Sequence, residues 1–148
     1  MTGSQTTTGG LKQSPLVIST KGQGLYTISA EVERLVTKSG IITGLCNVFL
    51  QHTSCSLIIQ ENADPSARAD LEAWMARLAP EHDPRYTHTL EGPDDMPAHL
   101  RSAVTRTSEQ IPIQGGALGL GTWQGLYLWE HRRAPQRRNL LVTFLTAA

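Results

Sequence analysis

The sequence is poor in the features that mark several large classes of protein. Its only two cysteines, Cys46 and Cys55, are too few for a disulfide framework. No apolar run approaches the roughly 18 residues of a membrane-spanning helix, so we expect no membrane association. Charged residues make up 18% of the chain and sum to a net charge of zero, which argues against a nucleic-acid binder.

What is present suits one compact domain. A chain of 148 residues with 39% apolar residues can bury a full core without disulfides or a structural metal. Residues 1–10 are rich in Thr, Ser and Gly and lack the basic and apolar regions of a signal peptide. We therefore predict a mobile tail over residues 1–10, a single domain over residues 11–148, and a location in the reducing cytoplasm.

The hydrophobic pattern predicts the order ββαββαα, followed by two or three strands. Residues 16–18 and 25–28 are β-rich runs around glycines, a hairpin-type pattern. A first helix is expected from the N-cap Ser29 to the C′ residue Gly40. Because strands occur in adjacent runs, the fold class is α+β, with an antiparallel or mixed sheet and about three helices.

A second helix is predicted from Asp64 and Pro65, which read as N-cap and first helical residue. Its apolar stripe comprises Leu71, Trp74, Met75 and Leu78. Asp94 and Asp95 have the same appearance at the start of a third helix. They cannot both be the cap, so one of them is left for another role.

Three histidines are candidate metal ligands. His52 follows a predicted strand, His88 lies in a long loop, and His99 lies in the first turn of a helix. Neutral imidazole is the commonest protein ligand for transition metals, and catalytic sites typically use three protein ligands. Structural hydrogen bonding is the alternative for each of them. His82 and His131 are expected at the surface.

The candidate catalytic carboxylates are Glu61, Asp94 and Asp95, which lie at loop-to-helix junctions near these histidines in the sequence. They could bind a metal, orient its ligands or act as a general base. An acidic middle segment, residues 61–95, precedes an arginine-rich end. This asymmetry could place metal and phosphate sites in one cleft, or it could mark two solvated faces.

The remaining motifs are weaker. Cys55 is set aside as a nucleophile, because its offset from His52 would place the two side chains on opposite faces of a strand. The glycine-rich residues 115–122 lack the spacing of a phosphate loop and predict a tight turn with close backbone approach, although their N–H groups could form an anion nest. Residues 131–138 are either a solvated hairpin tip or a phosphate clamp.

Taken together, the motifs resemble the YjbQ family. The resemblance covers nearly the whole chain after the first ten residues and is carried by Gln51-His52-Thr53-Ser54, Glu61-Asn62-Ala63-Asp64-Pro65, Tyr86-Thr87-His88, Glu91-Gly92-Pro93-Asp94-Asp95-Met96-Pro97-Ala98-His99, Ile111-Pro112-Ile113 and Leu120-Gly121-Thr122-Trp123-Gln124-Gly125. One departure is His131, which stands after Glu130 where the pattern has an apolar or aromatic residue.

The resemblance implies a compact α+β fold with a β-sandwich-like core, a homotrimer, and a divalent metal, commonly zinc, near the matching histidines. It also implies a small-molecule substrate. Some members of the family act as secondary thiamine-phosphate synthases, which join a pyrimidine diphosphate to a thiazole phosphate and release diphosphate.

The leading hypothesis is therefore this transfer reaction. It requires neutralisation of the charge on the leaving diphosphate and two substrates held in line. His52, His88 and His99 would hold the metal, with Mg²⁺ as a further ion carried by the diphosphate. The candidate substrate- and phosphate-binding residues are Arg137, Arg138, Thr122 and Trp123.

Two alternatives stay open. The first is a metal-dependent hydrolase, in which Glu61, Asp94 or Asp95 would take a proton from water activated by the metal. The second is a non-catalytic trimer that binds a metal or a metabolite. Unpaired carboxylates beside the histidines favour an enzyme, because assembly alone does not require them.

Overall fold

Two antiparallel sheets and three helices make up residues 5–147, the part of the chain that the computed structural model describes. The strands are β1 (Thr6–Thr8), β2 (Leu11–Thr20), β3 (Gly24–Thr27), β4 (Gly44–Leu50), β5 (Cys55–Glu61), β6 (Ser108–Gln114), β7 (Ala117–Leu118), β8 (Gln124–Glu130) and β9 (Gln136–Leu145). The helices are α1 (Ser29–Ser39), α2 (Pro65–Leu78) and α3 (Asp95–Ala103).

The strands form a six-stranded sheet in the order β1-β2-β9-β4-β6-β7 and a three-stranded sheet in the order β3-β8-β5. Strands β2 and β9 alternate between buried and more exposed positions, as expected for a sheet with one face on the core. Strand β8 is buried at every position from Gly125 to Glu130, so it lies at the centre of the fold. The predicted α+β single domain is thus confirmed.

Local sequence signals position two of the helices. Val32, Leu35 and Val36 form the buried stripe of α1, which ends at Gly40 in the left-handed conformation (φ 72°). The Asp64 side chain caps α2 by accepting a hydrogen bond from the Ser66 N–H at 2.9 Å. Both signals are therefore confirmed.

Other local predictions are wrong. Ser29 does not cap α1; its hydroxyl accepts a hydrogen bond from the Leu126 N–H at 2.9 Å. Of the stripe predicted on α2, Met75 is buried, whereas Trp74 and Leu78 are about half exposed (47% and 49%). Helix α2 therefore packs against the rest of the domain mainly through Met75, and a cavity remains beside this side chain.

The predicted hairpin between residues 16–18 and 25–28 is also wrong. Strand β2 pairs with β9 over its full length, and β3 pairs with β8 in the other sheet. Strand β1 lies within residues 1–10, the range predicted as a tail, and pairs with β2 at the edge of the large sheet. Residues 1–4 lie outside the described residues.

No helix in the described part of the chain is both long and apolar enough to cross a membrane.

Candidate functional site

Three potential metal-binding side chains meet at the beginning of α3. Asp95 and His99 are four residues apart on this helix, so they share one face, and His88 reaches them from the preceding loop. The Asp95 Oδ2 atom lies 2.7 Å from His88 Nε2 and 3.1 Å from His99 Nε2. One ligand atom from each residue lies within 4.8 Å of the others, so the three converge on one point.

The hydrogen bond at His99 Nδ1 determines whether Nε2 of the neutral ring is a donor or an acceptor. His99 Nδ1 lies 2.9 Å from the Thr53 carbonyl oxygen, and a carbonyl oxygen only accepts, so Nδ1 carries a proton. In neutral His99, Nε2 is then an acceptor that faces the Asp95 carboxylate, which is also an acceptor. A cation or a proton is needed between these two atoms. A backbone carbonyl on the outer nitrogen is typical of metal-binding histidines.

Arg132 holds the carboxylates of this cluster in place. Its Nη1 donates to Asp95 Oδ1 at 2.6 Å, its Nε donates to Asp94 Oδ2 at 3.0 Å, and its Nη2 donates to the Glu91 carbonyl oxygen at 2.9 Å. Asp95 thus has one oxygen on the arginine and the other between the two histidines. Sequence reasoning missed Arg132, although it lies in the arginine-rich segment that was examined for phosphate contacts.

The two aspartates are ionised in this setting. Burial would raise the pKa of Asp95, but the hydrogen bond from His88 and the charge of Arg132 bring it below its usual value. Burial would also raise the pKa of Asp94, but hydrogen bonds from the Arg133 N–H and from the Arg132 side chain lower it below its usual value. Neither side chain caps α3: Asp94 occupies the N-cap position without a capping bond.

His52 lies apart from the cluster. Its Nε2 accepts a hydrogen bond from the Asn139 N–H at 2.7 Å, which leaves Nδ1 as the protonated nitrogen of the neutral ring. Burial, together with the charge of Arg138, lowers the pKa of His52. His52 and His99 line the same shallow depression, with Thr53 and Ser102 between them. Thus the structure brings His88 and His99 together with Asp95. His52 shares a depression with His99 but is not part of the cluster.

A second group of predicted site residues lies away from the histidine cluster and comprises Glu61, Thr122 and Trp123. Asn62, which follows Glu61, connects them. Its side-chain Nδ2 donates to the Thr122 carbonyl oxygen at 3.1 Å, and its backbone N–H donates to the Trp123 carbonyl oxygen at 3.1 Å. Glu61 lines a depression with Arg68 that shares no lining residue with those beside the histidines. The Trp123 side chain is 65% exposed.

The two candidate phosphate-binding arginines differ in burial. Arg138 is buried, and its Nε donates to Glu130 Oε1 at 2.8 Å while its Nη2 contacts Glu130 Oε2 and Ser54. Arg137 is exposed on the same strand. The segment from residue 131 to 138 carries the chain from the small sheet to the large one, so its interpretation as a hairpin tip is wrong.

His131 is buried, which contradicts the prediction that it lies at the surface. It is only 1% exposed, and its Nε2 lies 2.8 Å from the Ser56 hydroxyl. Burial and the neighbouring charges of Arg101 and Arg138 lower the pKa of His131 to about 3, so the ring is neutral. His82 is exposed, as predicted.

A cavity of about 330 Å³ opens beside His88. Its walls are largely apolar or aromatic, and the lining residues are His82, Asp83, Tyr86, His88, Thr89, Gly92, Pro93 and Met96. Hydrogen bonds within the loop shape it: the Tyr86 hydroxyl donates to the Pro80 carbonyl oxygen at 2.8 Å. The histidine cluster therefore adjoins a cavity of the size that takes small ligands.

The other motifs have structural roles. Burial raises the pKa of the Cys55 thiol to about 12, so it is not a nucleophile at neutral pH. Gly115 and Gly116 have positive φ in the turn between β6 and β7. The Gly119 N–H donates to the Pro112 carbonyl oxygen at 2.7 Å, the close backbone approach predicted for the glycine-rich run.

The fold and the site define a small α+β domain in which a His–Asp–His cluster lies at the start of a helix. The chain belongs to the UPF0047 family: the family model described as "UPF0047 protein YjbQ-like" matches residues 14–147. The resemblance noted from the motifs is thereby confirmed.

Relatives match along most of their length. The chain is 56% identical over 130 residues to the UPF0047 protein sll1880 of Synechocystis, which covers 88% of both chains. It is 38% identical over 132 residues to the UPF0047 protein YjbQ of Escherichia coli O157:H7, covering 88% of this chain and 95% of that protein.

Solved structures agree with the fold. The crystal structure of an uncharacterised YjbQ/UPF0047 protein from Clostridium acetobutylicum superposes with a TM-score of 0.81 at 32% identity, covering 88% of this chain and 98% of that one. The conserved hypothetical protein TT1486 from Thermus thermophilus gives a TM-score of 0.78 at 37% identity, covering 86% and 96%.

Proposed function

We propose that this protein is a metal-dependent enzyme that acts on a small phosphorylated substrate. The observation that carries the proposal is the meeting of His99 Nε2 and Asp95 Oδ2 at 3.1 Å, because in neutral His99 both atoms are acceptors and a bound cation would join them. His88 Nε2 adds a third donor atom at the same point.

The donor set fits a divalent transition metal. Two imidazole nitrogens and one carboxylate suit zinc, with a position open to a substrate. In this proposal Asp95 takes the place that the sequence analysis gave to His52. The hydrogen bond from Arg132 to the far oxygen of Asp95 keeps its near oxygen directed at the histidines, so Arg132 is a positioning residue.

The neighbouring cavity supports a substrate with a small heteroaromatic ring. Tyr86, Met96 and Pro93 offer apolar and aromatic surface beside His88, and the volume of about 330 Å³ suits a pyrimidine or a thiazole. The reaction that we propose is the joining of a pyrimidine diphosphate to a thiazole phosphate. A bound divalent cation, zinc or the Mg²⁺ of the substrate, would neutralise charge on the departing diphosphate.

Of the two arginines predicted to contact phosphate, only Arg137 is free to do so. Arg138 is committed to Glu130, and Arg132 is committed to the two aspartates. Arg137 is the exposed arginine of the pair, so it keeps its proposed role as a phosphate contact. Thr122 and Trp123 directly precede β8 and lie away from the histidines, so in this proposal they would contact only a substrate long enough to reach the start of β8.

The test is diphosphate release from the pyrimidine diphosphate, measured with and without the thiazole phosphate, in metal-loaded and chelated protein. We expect release only with both substrates and metal, and its loss in Asp95→Asn. The control is Asp70→Asn, an exposed carboxylate on α2. Release without the thiazole would indicate a hydrolase, and activity that survives chelation or Asp95→Asn would refute the metal-dependent reaction.

We also propose that the protein is a homotrimer. An apolar row crosses the outer face of the large sheet, where Leu11 and Leu45 are each paired with Leu145. These three leucines are 38%, 40% and 51% exposed, and Phe49 on the same face is 45% exposed. An exposed cluster of apolar side chains on the face of a sheet is typical of a subunit interface.

The location that we propose is the cytoplasm. Cys46 and Cys55 are both free thiols, which supports a reducing compartment.

A further inference from the structure

A second cavity lies on the opposite side of α3 from the histidine cluster. It has a volume of about 220 Å³ and lies between α2, α3 and the small sheet, lined by Gln23, Gly24, Glu72, Met75, Ala76, Arg101, Trp129 and His131. None of these residues lines the cavity beside His88. The room arises because α2 buries only Met75 fully against the sheet.

Arg101 is the unusual member of this lining. Its side chain is only 7% exposed, yet within residues 5–147 it forms no ion pair, and its Nε has no hydrogen-bond partner. One donor is used: Nη2 donates to the Ala79 carbonyl oxygen at the end of α2, at 2.8 Å. Buried charges are normally paired, and this guanidinium lacks a direct ion-pair partner among the described residues.

The acids near Arg101 are already engaged by other arginines. Glu81 Oε1 accepts from Arg133 Nη2 at 2.5 Å. Asp94 Oδ2 accepts from Arg132 and from the Arg133 N–H. Glu72 is the remaining carboxylate of this cavity, and among the described residues no ion pair joins it to Arg101, so the carboxylate of a ligand would give the guanidinium a direct partner.

The other walls restrict what that group can be. Glu72 brings a carboxylate, which accepts a hydrogen bond from the Leu25 N–H at 3.3 Å and disfavours a ligand with two negative charges. His131 has Nε2 on Ser56, which leaves Nδ1 for a polar contact. The volume is below the roughly 300–1,000 Å³ of sites for drug-sized ligands, so the occupant is small.

We propose that this cavity is a binding site for a small hydroxycarboxylate. The carboxylate would pair with the Arg101 guanidinium, whose planar donors match it, and the hydroxyl would donate to Glu72. Trp129 and Met75 would cover the short carbon chain. The site is separate from the proposed metal site and does not depend on the proposed reaction.

The experiment is an NMR titration of the ¹⁵N-labelled full chain with glycolate, which follows the Arg101 Nε–H resonance. We expect a saturable shift of this resonance, and a smaller and weaker response to acetate, which lacks the hydroxyl. Inorganic phosphate should bind more weakly than glycolate, because it carries more negative charge toward Glu72.

Variants show whether glycolate binds at Arg101 and distinguish a loss of binding from a loss of folding. Arg101→Lys keeps the charge, so it should stay folded while weakening glycolate binding about tenfold or more, since it loses the bidentate fork. The indole N–H resonance of Trp129, which lines the cavity, reports binding in this variant. Arg77→Lys, an exposed arginine on α2, is the matched control and should bind like the wild type.

Three results would overturn the proposal. They are a linear, unsaturated response of the Arg101 resonance, equal glycolate affinity in Arg101→Lys, and shifts confined to His88 and His99. Tighter binding of phosphate than of glycolate would also overturn the assignment of the ligand class.

Discussion

Arg137 and Arg138 are neighbours in the sequence, but burial gives them different roles. Arg138→Ala leaves the buried Glu130 carboxylate without its partner. We expect a loss of about 3–5 kcal/mol in the free energy of unfolding. The exposed Arg137→Ala should change it by no more than about 0.5 kcal/mol. Urea denaturation of the two variants measures the difference, and equal losses would contradict the structural role of Arg138.

This contrast also changes how phosphate binding has to be tested. A double substitution of Arg137 and Arg138 would lose activity through unfolding alone. Only Arg137→Ala separates the loss of a phosphate contact from the loss of the fold.

His131 gives the protein a defined pH dependence of stability. Its pKa is lowered from 6.5 to about 3 in the folded protein, because the ring is buried and faces Arg101 and Arg138. The unfolded chain therefore binds the proton first. The contribution of neutral His131 to the free energy of unfolding is fully present above pH 6.5 and is lost as the pH falls toward 3. Over this range the free energy of unfolding falls by up to about 1.4 kcal/mol per pH unit.

The measurement is the free energy of unfolding between pH 7 and pH 4. His131→Gln should remove this part of the slope, since glutamine does not titrate. The exposed His82→Gln should keep it. A wild-type slope that His131→Gln leaves unchanged would show that the buried ring is not its origin.

At the scale of elements, helix α1 depends on the conformation of its terminal glycine. Gly40 has φ 72°, and its N–H bonds to the Thr37 carbonyl oxygen at 3.2 Å. Gly40→Ala should cost about 1–2 kcal/mol of stability, because a Cβ disfavours left-handed backbone. Gly40→Asn should cost less, since asparagine tolerates this conformation. Thermal denaturation ranks the two, and an alanine as stable as the wild type would contradict the account.

Elements that depend on neighbours in sequence were predictable from the sequence. Asp64 and Pro65 mark the start of α2, and Gly40 marks the end of α1, because caps and turns are decided within a few residues. Strand pairing is decided elsewhere. β2 was expected to pair with the nearby β3, but its partner β9 lies more than a hundred residues along the chain, where no local pattern reports it.

The same distinction holds for the site. Two of its residues, His88 and His99, were chosen as ligands from the sequence, and Asp95 was chosen as a carboxylate of the same site. The spacing of Asp95 and His99 on one helix was a signal that they share a face. The contact of Arg132 with Asp95 and the burial of His131 depend on how the β8–β9 segment crosses between the sheets, so neither was predictable.

At the scale of the whole molecule, the apolar row on the large sheet should be the interface of the proposed trimer. We expect sedimentation equilibrium to give three times the chain mass of 16.2 kDa. Leu45→Glu should shift the mass toward one chain, because it places a charge within the row. Leu78→Glu on α2, which is similarly exposed, is the control. A monomeric wild type, or a Leu45→Glu variant that stays trimeric, would contradict this interface.

We propose that Asp95, with His88 and His99, forms a metal site. This is tested by the metal content per chain, measured by plasma mass spectrometry on protein purified without an affinity tag. We expect near-stoichiometric metal in the wild type and in His52→Ala, and its loss in His88→Ala and Asp95→Asn. Metal that survives Asp95→Asn but is lost in His52→Ala, or a wild type that stays empty after soaking with zinc, would contradict it.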